Sequence, residues 1–116
     1  MSPRDPMLRV RDMLEAANRI LERASGSREA LAEDETLQVW VVYHLQVLGE
    51  AASAVPAEIA NAHPEVDWVA LRGMRNRLVH GYFDVDLDVI WEAVVRDVPV
   101  LRDQVAGILH DADAGF

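Results

Sequence analysis

The sequence predicts an all-α fold: an antiparallel up-and-down bundle of four long helices plus one short helix, in a single domain spanning residues 1–116. Three observations predict it. Apolar residues recur at three-and-four spacing over most of the chain, no segment alternates with the period of a strand, and no internal repeat, low-complexity tract or linker divides it. With 51% of its 116 residues hydrophobic, the chain can bury one sizeable core.

Asp5-Pro6 is a start signal for the first helix, an N-cap followed by proline at the first helical position. Met7, Val10, Leu14, Ala17, Leu21 and Ala24 then form one face until Ser25-Gly26 ends the run. An acidic loop over Glu29 to Glu35 follows. The second helix, Leu37 to Val55, is stopped by Pro56 and carries too many apolar residues for one stripe, so it should be buried on more than one side, in a central or interface position. Ala57 to Ala62 makes the short helix, closed by His63-Pro64. The fourth helix begins near Asp67 and runs to His80, where Gly81 is placed to be its left-handed terminator. The last begins at Asp86, whose side chain can cap the first amides. Ile90, Val94, Val98, Leu101, Val105 and Ile108 stay in phase across Pro99, which predicts one kinked helix and a frayed HDADAGF tail.

Composition narrows the function classes. The net charge of −9 argues against a non-specific grip on nucleic acid, so any phosphate contact must be local. The chain has no cysteine, which excludes disulfide and thiolate chemistry and fits a reducing compartment. No apolar run reaches the length of a membrane span and the N-terminus is too charged for a secretory signal, so a cytoplasmic protein without membrane contact is expected. The four histidines share no metal-ligand spacing, and there is no glycine-rich phosphate loop or nucleophile elbow; neither a metal nor a cofactor is expected.

The chemistry-bearing residues concentrate in MRNRLVHGYFDVD, Met74 to Asp86. On a helical wheel Trp68, Leu71, Met74, Leu78 and Val79 share an apolar arc, and Arg75 falls inside it. A guanidinium there needs a carboxylate or a polar cleft, with Glu50 of the second helix as the candidate partner; a surface-seeking arginine is the plainer alternative. Asn76 and Arg77 stand four and three residues before His80, which makes them its neighbours. Arg72, Arg75 and Arg77 form the dense basic cluster of mid-chain, a place for a phosphate to sit. A protonated imidazole merely ending a helix would explain His80 equally well. His44, in the stripe of the second helix, reads as a satisfied core residue, and Trp40, Trp68 and Trp91 as packing residues.

Arg75-Asn76-Arg77-Leu78-Val79-His80-Gly81-Tyr82 resembles the HEPN signature in the R-x-x-x-x-H-x-Y form of HepT toxins, which are paired with MntA antitoxins. VLGEAA at Val47 to Ala52, HPEVDW at His63 to Trp68, GMRN at Gly73 to Asn76 and the stretch from Tyr82 onward resemble that family in order and spacing. The resemblance implies a small helical ribonuclease, active as a homodimer or higher oligomer, with two motif helices facing one another across a cleft. It assigns Arg75 and His80 to catalysis with Asn76 in support. It also makes Tyr82 the residue to which a cognate MntA-like nucleotidyltransferase antitoxin adds AMP, silencing the toxin.

Elementary chemistry is compatible with that assignment. Metal-independent RNA cleavage needs a base for the ribose 2′-hydroxyl, an acid for the 5′-oxygen and positive charge for the phosphorane. One chain supplies one motif histidine; a two-fold dimer supplies two. His80 is then the acid/base group and Arg75 the phosphate clamp, with Arg72 and Arg77 as secondary contacts. On an ideal helix Arg75 and His80 point about 140° apart, so they converge only if the last turn unwinds or if they meet their counterparts across a dimer. The reading from a different class is a non-catalytic helical module that dimerises and docks a nucleotidyltransferase.

Overall fold

The computed structural model describes residues 5–24, 26–80 and 84–114; for Arg75, Val79, His80, Asp84 and Ala114 it describes the backbone alone. The fold is all-α, as the sequence predicts. Helix α1 (Leu8–Arg23) leads through the short α2 (Arg28–Glu33) into α3 (Glu35–Ser53), followed by α4 (Ala57–Ala62), α5 (Trp68–Arg72) and α6 (Met74–Leu78). Two two-residue strands, β1 (Val79–His80) and β2 (Asp84–Val85), precede a last rod made of α7 (Leu87–Glu92), a π-helical turn (Ala93–Asp97) and α8 (Val98–Ala114).

Local chemistry explains most of these boundaries. Asp5 does not cap α1 directly: its carboxylate accepts from the Met7 amide at 2.9 Å in a turn before the helix, which begins at Leu8. The buried line of α1 runs through Val10, Met13, Ala17, Ile20 and Ala24, with Leu14 and Leu21 at its edges, so the face is rotated from the predicted stripe. Residues 28–33 form a helix instead of the expected loop, because the Ser27 hydroxyl accepts from the Ala30 amide and Leu31 is buried. Asp34, Asp67 and Asp86 cap α3, α5 and α7 in the same way, each accepting from the amide three residues on. Helix α8 continues to Ala114, past the start of the tail expected to fray, and Asp113 pairs with Arg11 of α1 at 3.3 Å.

The π-turn accounts for the phase of the last rod. Pro99 has no amide to bond back to Val95, and the Val98 amide reaches the Ala93 carbonyl, five residues back. That wider turn takes up roughly one extra residue and keeps Ile90, Val94 and Val98 on one face, all buried together with Leu101, Val105 and Ile108. One continuous rod is therefore present, with its irregularity just before the proline.

The core is built around α1, which packs against both α3 and α8, and is closed by α5, α6 and α7 against α3. Helix α3 is central, as expected. It touches α1, α2, α5, α6 and α7, yet leaves Val39 and Tyr43 about 60% exposed. Gly49 sets the distance to α5: a Cβ there would stand 2.8 Å from the Leu71 carbonyl oxygen. Among the described residues no helix is long and apolar enough to cross a membrane.

Candidate active site

The motif segment departs from the predicted single helix. The predicted fourth helix is two short ones broken at Gly73, whose amide bonds back to Val69 while its carbonyl accepts from Asn76 only three residues on. Helix α6 ends at Leu78, two residues earlier than expected, and Val79 and His80 are extended. They pair antiparallel with Val85 and Asp84, in the register Val79 to Val85 and His80 to Asp84. Gly81 as helix terminator falls outside the described residues.

Two backbone links and one side-chain cap pin this pair of strands. The Asp86 amide donates to the Leu78 carbonyl at 2.9 Å, the ladder joins 79–80 to 84–85, and Asp86 then caps α7 through the Val89 amide at 3.2 Å. The chain entering β1 and the chain leaving β2 are thereby fixed to the end of one helix and the start of the next. The tertiary hydrogen bonds explain why the last turn unwinds: Leu78 gives its carbonyl to Asp86 instead of to a residue further along a helix.

The buried side of α5 and α6 is the predicted one: Trp68, Leu71, Met74 and Leu78 are all buried, and the Trp68 indole donates to the His63 carbonyl at 3.0 Å. Arg75 sits on α6 between Met74 and Asn76; its side chain, that of His80, and Tyr82 altogether lie outside the described residues. Arg72, Asn76 and Arg77 are exposed. Arg77 donates to the Ala70 carbonyl at 3.2 Å and lines a groove of about 360 Å³ between α5–α6 and α8, where Arg96 also stands. In the sequence Arg96 groups with Arg102 and not with Arg77, because its proximity to Arg77 depends on how the last rod packs.

Glu50 is exposed and forms no ion pair among the described residues. It lines a groove of about 490 Å³ between α1 and α3, together with Arg9, Arg19, Tyr43 and His44. His44 is the satisfied residue expected: 8% exposed, it donates from Nδ1 to the Trp40 carbonyl at 2.9 Å and lies 4.0 Å from the Trp40 ring, centroid to centroid. Trp40 also carries the Arg23 guanidinium over its face, 5.1 Å from the ring centroid.

The arrangement offers exposed cations, Arg72 and Arg77, on the side of α5–α6 opposite the core, next to the two-residue ladder that pairs Val79 and His80 with Val85 and Asp84. Such a site suits a phosphodiester held at the surface rather than a small molecule enclosed in a cavity.

Comparison with known proteins agrees with this chemistry. Residues 13–108 match the family described as "Ribonuclease HepT-like". A protein of Caldanaerobacter subterraneus subsp. tengcongensis named "Putative RNase TTE0752" is 35% identical over 99 residues, covering 84% of this chain and 88% of that one. The "Probable ribonuclease HepT" of Thermococcus cleftensis is 38% identical over 69 residues, 60% of this chain and 63% of its own. "Putative RNase MJ0127" of Methanocaldococcus jannaschii is 27% identical over 114 residues, 97% of this chain and 94% of its own. No solved structure matches the chain.

Proposed function

Because the chain belongs to the HepT-like ribonuclease family, we propose that it is the toxin of a toxin-antitoxin pair. It cleaves RNA without a metal ion at a site built from Arg75 and His80, and is silenced by AMP addition at Tyr82. The observation that supports this reading is the unwinding of the motif helix after Leu78. An ideal helix would hold positions 75 and 80 about 140° apart; an extended backbone at His80 removes that constraint.

The reaction follows from the side chains. A neutral His80 takes the proton of the ribose 2′-hydroxyl, whose oxygen attacks the adjacent phosphorus. The imidazolium of a second copy gives its proton to the departing 5′-oxygen, leaving a 2′,3′-cyclic phosphate and a free 5′-hydroxyl. Arg75 carries the charge of the phosphorane, with Arg72, Asn76 and Arg77 holding flanking groups. The two histidines come from two chains of a homodimer. Glu50 is a supporting residue that orients Arg75.

Silencing uses the same place. The Tyr82 phenolate oxygen attacks the α-phosphorus of ATP within a cognate MntA-like nucleotidyltransferase, pyrophosphate leaves, and the phenol proton passes to the partner's base. The AMP then sets a negative phosphate and a bulky nucleoside beside Arg75 and His80.

RNA incubated with the purified protein in EDTA tests the reading. Wild type is expected to cleave, and His80→Ala to lose about 100-fold or more of that rate with its helical circular dichroism intact. Cleavage at the wild-type rate by the variant would refute the assignment. With ATP and the nucleotidyltransferase, the wild-type mass should rise by AMP; an equal rise in Tyr82→Phe places the acceptor elsewhere.

A further inference from the structure

The short ladder sets an aspartate opposite the motif histidine. His80 and Asp84 are register partners in an antiparallel pair, and the Asp86 amide bonds to the Leu78 carbonyl at 2.9 Å in that same register. Hydrogen-bonded and non-bonded pairs alternate along such a ladder, so Val79 with Val85 is a non-bonded pair and His80 with Asp84 a bonded one. Partners of that kind have Cα atoms about 5.5 Å apart and belong to one face of the ladder.

Burial identifies that face. Val85 is half-buried and packs against the core. Successive residues of a strand alternate, so positions 79 and 85 belong to the core side of the ladder and positions 80 and 84 to the opposite side. Other carboxylates of the region are engaged or placed elsewhere: Asp86 accepts from the Val89 amide at 3.2 Å, Asp88 pairs with Arg28, and Glu50 lies in the groove between α1 and α3. The elements in closest contact with β1 are α6 and β2. They bring Arg75 and Arg77 of α6 and Asp84 of β2 into the neighbourhood of position 80, with Asp86 just beyond.

We propose that Asp84 is a positioning residue for His80, its carboxylate accepting from Nδ1–H of the imidazole so that Nε2 is presented to the RNA. The role in catalysis rests on the ribonuclease reading above. Histidine has two ring nitrogens, and the hydrogen bond made by one decides which of them is available to the substrate. With Nδ1–H donated to Asp84, the neutral ring holds its lone pair on Nε2 and takes the 2′-hydroxyl proton there; the same carboxylate stabilises the imidazolium that results. In the second copy the imidazolium loses its Nε2 proton to the departing 5′-oxygen and keeps the one on Nδ1. Asp84 remains ionised throughout and exchanges no proton. Arg75 and Arg77 disfavour a positive charge on the ring, and the carboxylate offsets them.

Nuclear magnetic resonance of the full chain tests the pairing without reference to activity. The His80 signals are those that His80→Ala removes from the set of four histidines. In wild type the neutral His80 ring should carry its proton on Nδ1, read from the nitrogen shifts; a proton on Nε2 would overturn the proposal. In Asp84→Asn the ring should titrate at a pH lower by about half a unit or more. In 0.15 M salt the screening length is about 8 Å, so Asp88→Asn, which removes an equal charge four residues on, should change it far less. An unmoved titration in Asp84→Asn, or an equal movement in Asp88→Asn, refutes the pairing. In RNA cleavage Asp84→Asn should lower kcat with KM unchanged and move the pH optimum down by a like amount, and Asp84→Glu should restore part of the rate. A moved titration beside an unmoved pH profile removes Asp84 from the reaction. A moved titration in a wild type that cleaves no RNA keeps the pairing and sinks the ribonuclease reading instead.

Discussion

At the scale of single residues, two glycines in long helices have opposite meanings. Glycine costs about 0.5–1 kcal/mol in a helix interior relative to alanine. At Gly107 of α8 an added Cβ meets nothing within 4 Å, so Gly107→Ala should raise the melting temperature by a few degrees. At Gly49 the same methyl would press on the Leu71 carbonyl at 2.8 Å, a backbone atom that cannot rotate away. Overpacking of about 1–3 kcal/mol outweighs the propensity gain, and Gly49→Ala should lower the melting temperature. It should also lower RNA cleavage, because α5 carries the motif segment. Calorimetry on the two variants side by side checks the sign of each; stabilisation by Gly49→Ala would mean that the α3–α5 contact is loose.

Among elements, the helices around the site are short and depend on their caps. Helix α5 has five residues and α6 five, too few to persist by propensity alone, so Asp67 at the head of α5 carries unusual weight. Asp67→Ala should cost about 1 kcal/mol, while Asp67→Asn, which can still accept from the Ala70 amide, should cost less; urea denaturation of the pair reads the difference. The hairpin that follows has only two residues per strand and is held at its base by the Leu78 carbonyl and the Asp86 amide. Its conformation is set by the elements on either side, which is why helical periodicity overshot the end of α6.

For the whole molecule, the governing quantity is the acidic balance. With a net charge of −9, the proposed reading leaves the arginines of α5 and α6 as the RNA contacts, so few counterions should be released on binding. The slope of log Kobs against log salt should be shallow. For single-stranded RNA it should fall by about 0.7 for each phosphate contact removed, as in Arg72→Ala or Arg77→Ala of a cleavage-deficient His80→Ala background. An unchanged slope in both would remove these arginines from the RNA path.

The sequence by itself determined the helical class, the buried stripe of the last rod, the central position of α3, the cap at Asp86, and the family. Each is written in local spacing: periodicity, a capping oxygen three residues before an amide, a motif in order. The tertiary structure alone decided where α6 stops, how Pro99 is absorbed, that residues 28–33 coil into a helix, and which side of α3 is bare. Those outcomes depend on partners distant in the chain. Asp86 supplies the amide that takes the Leu78 carbonyl, burial on one face of the last rod fixes the phase of the π-turn, and α1 and α5–α6 cover two of the three sides of α3.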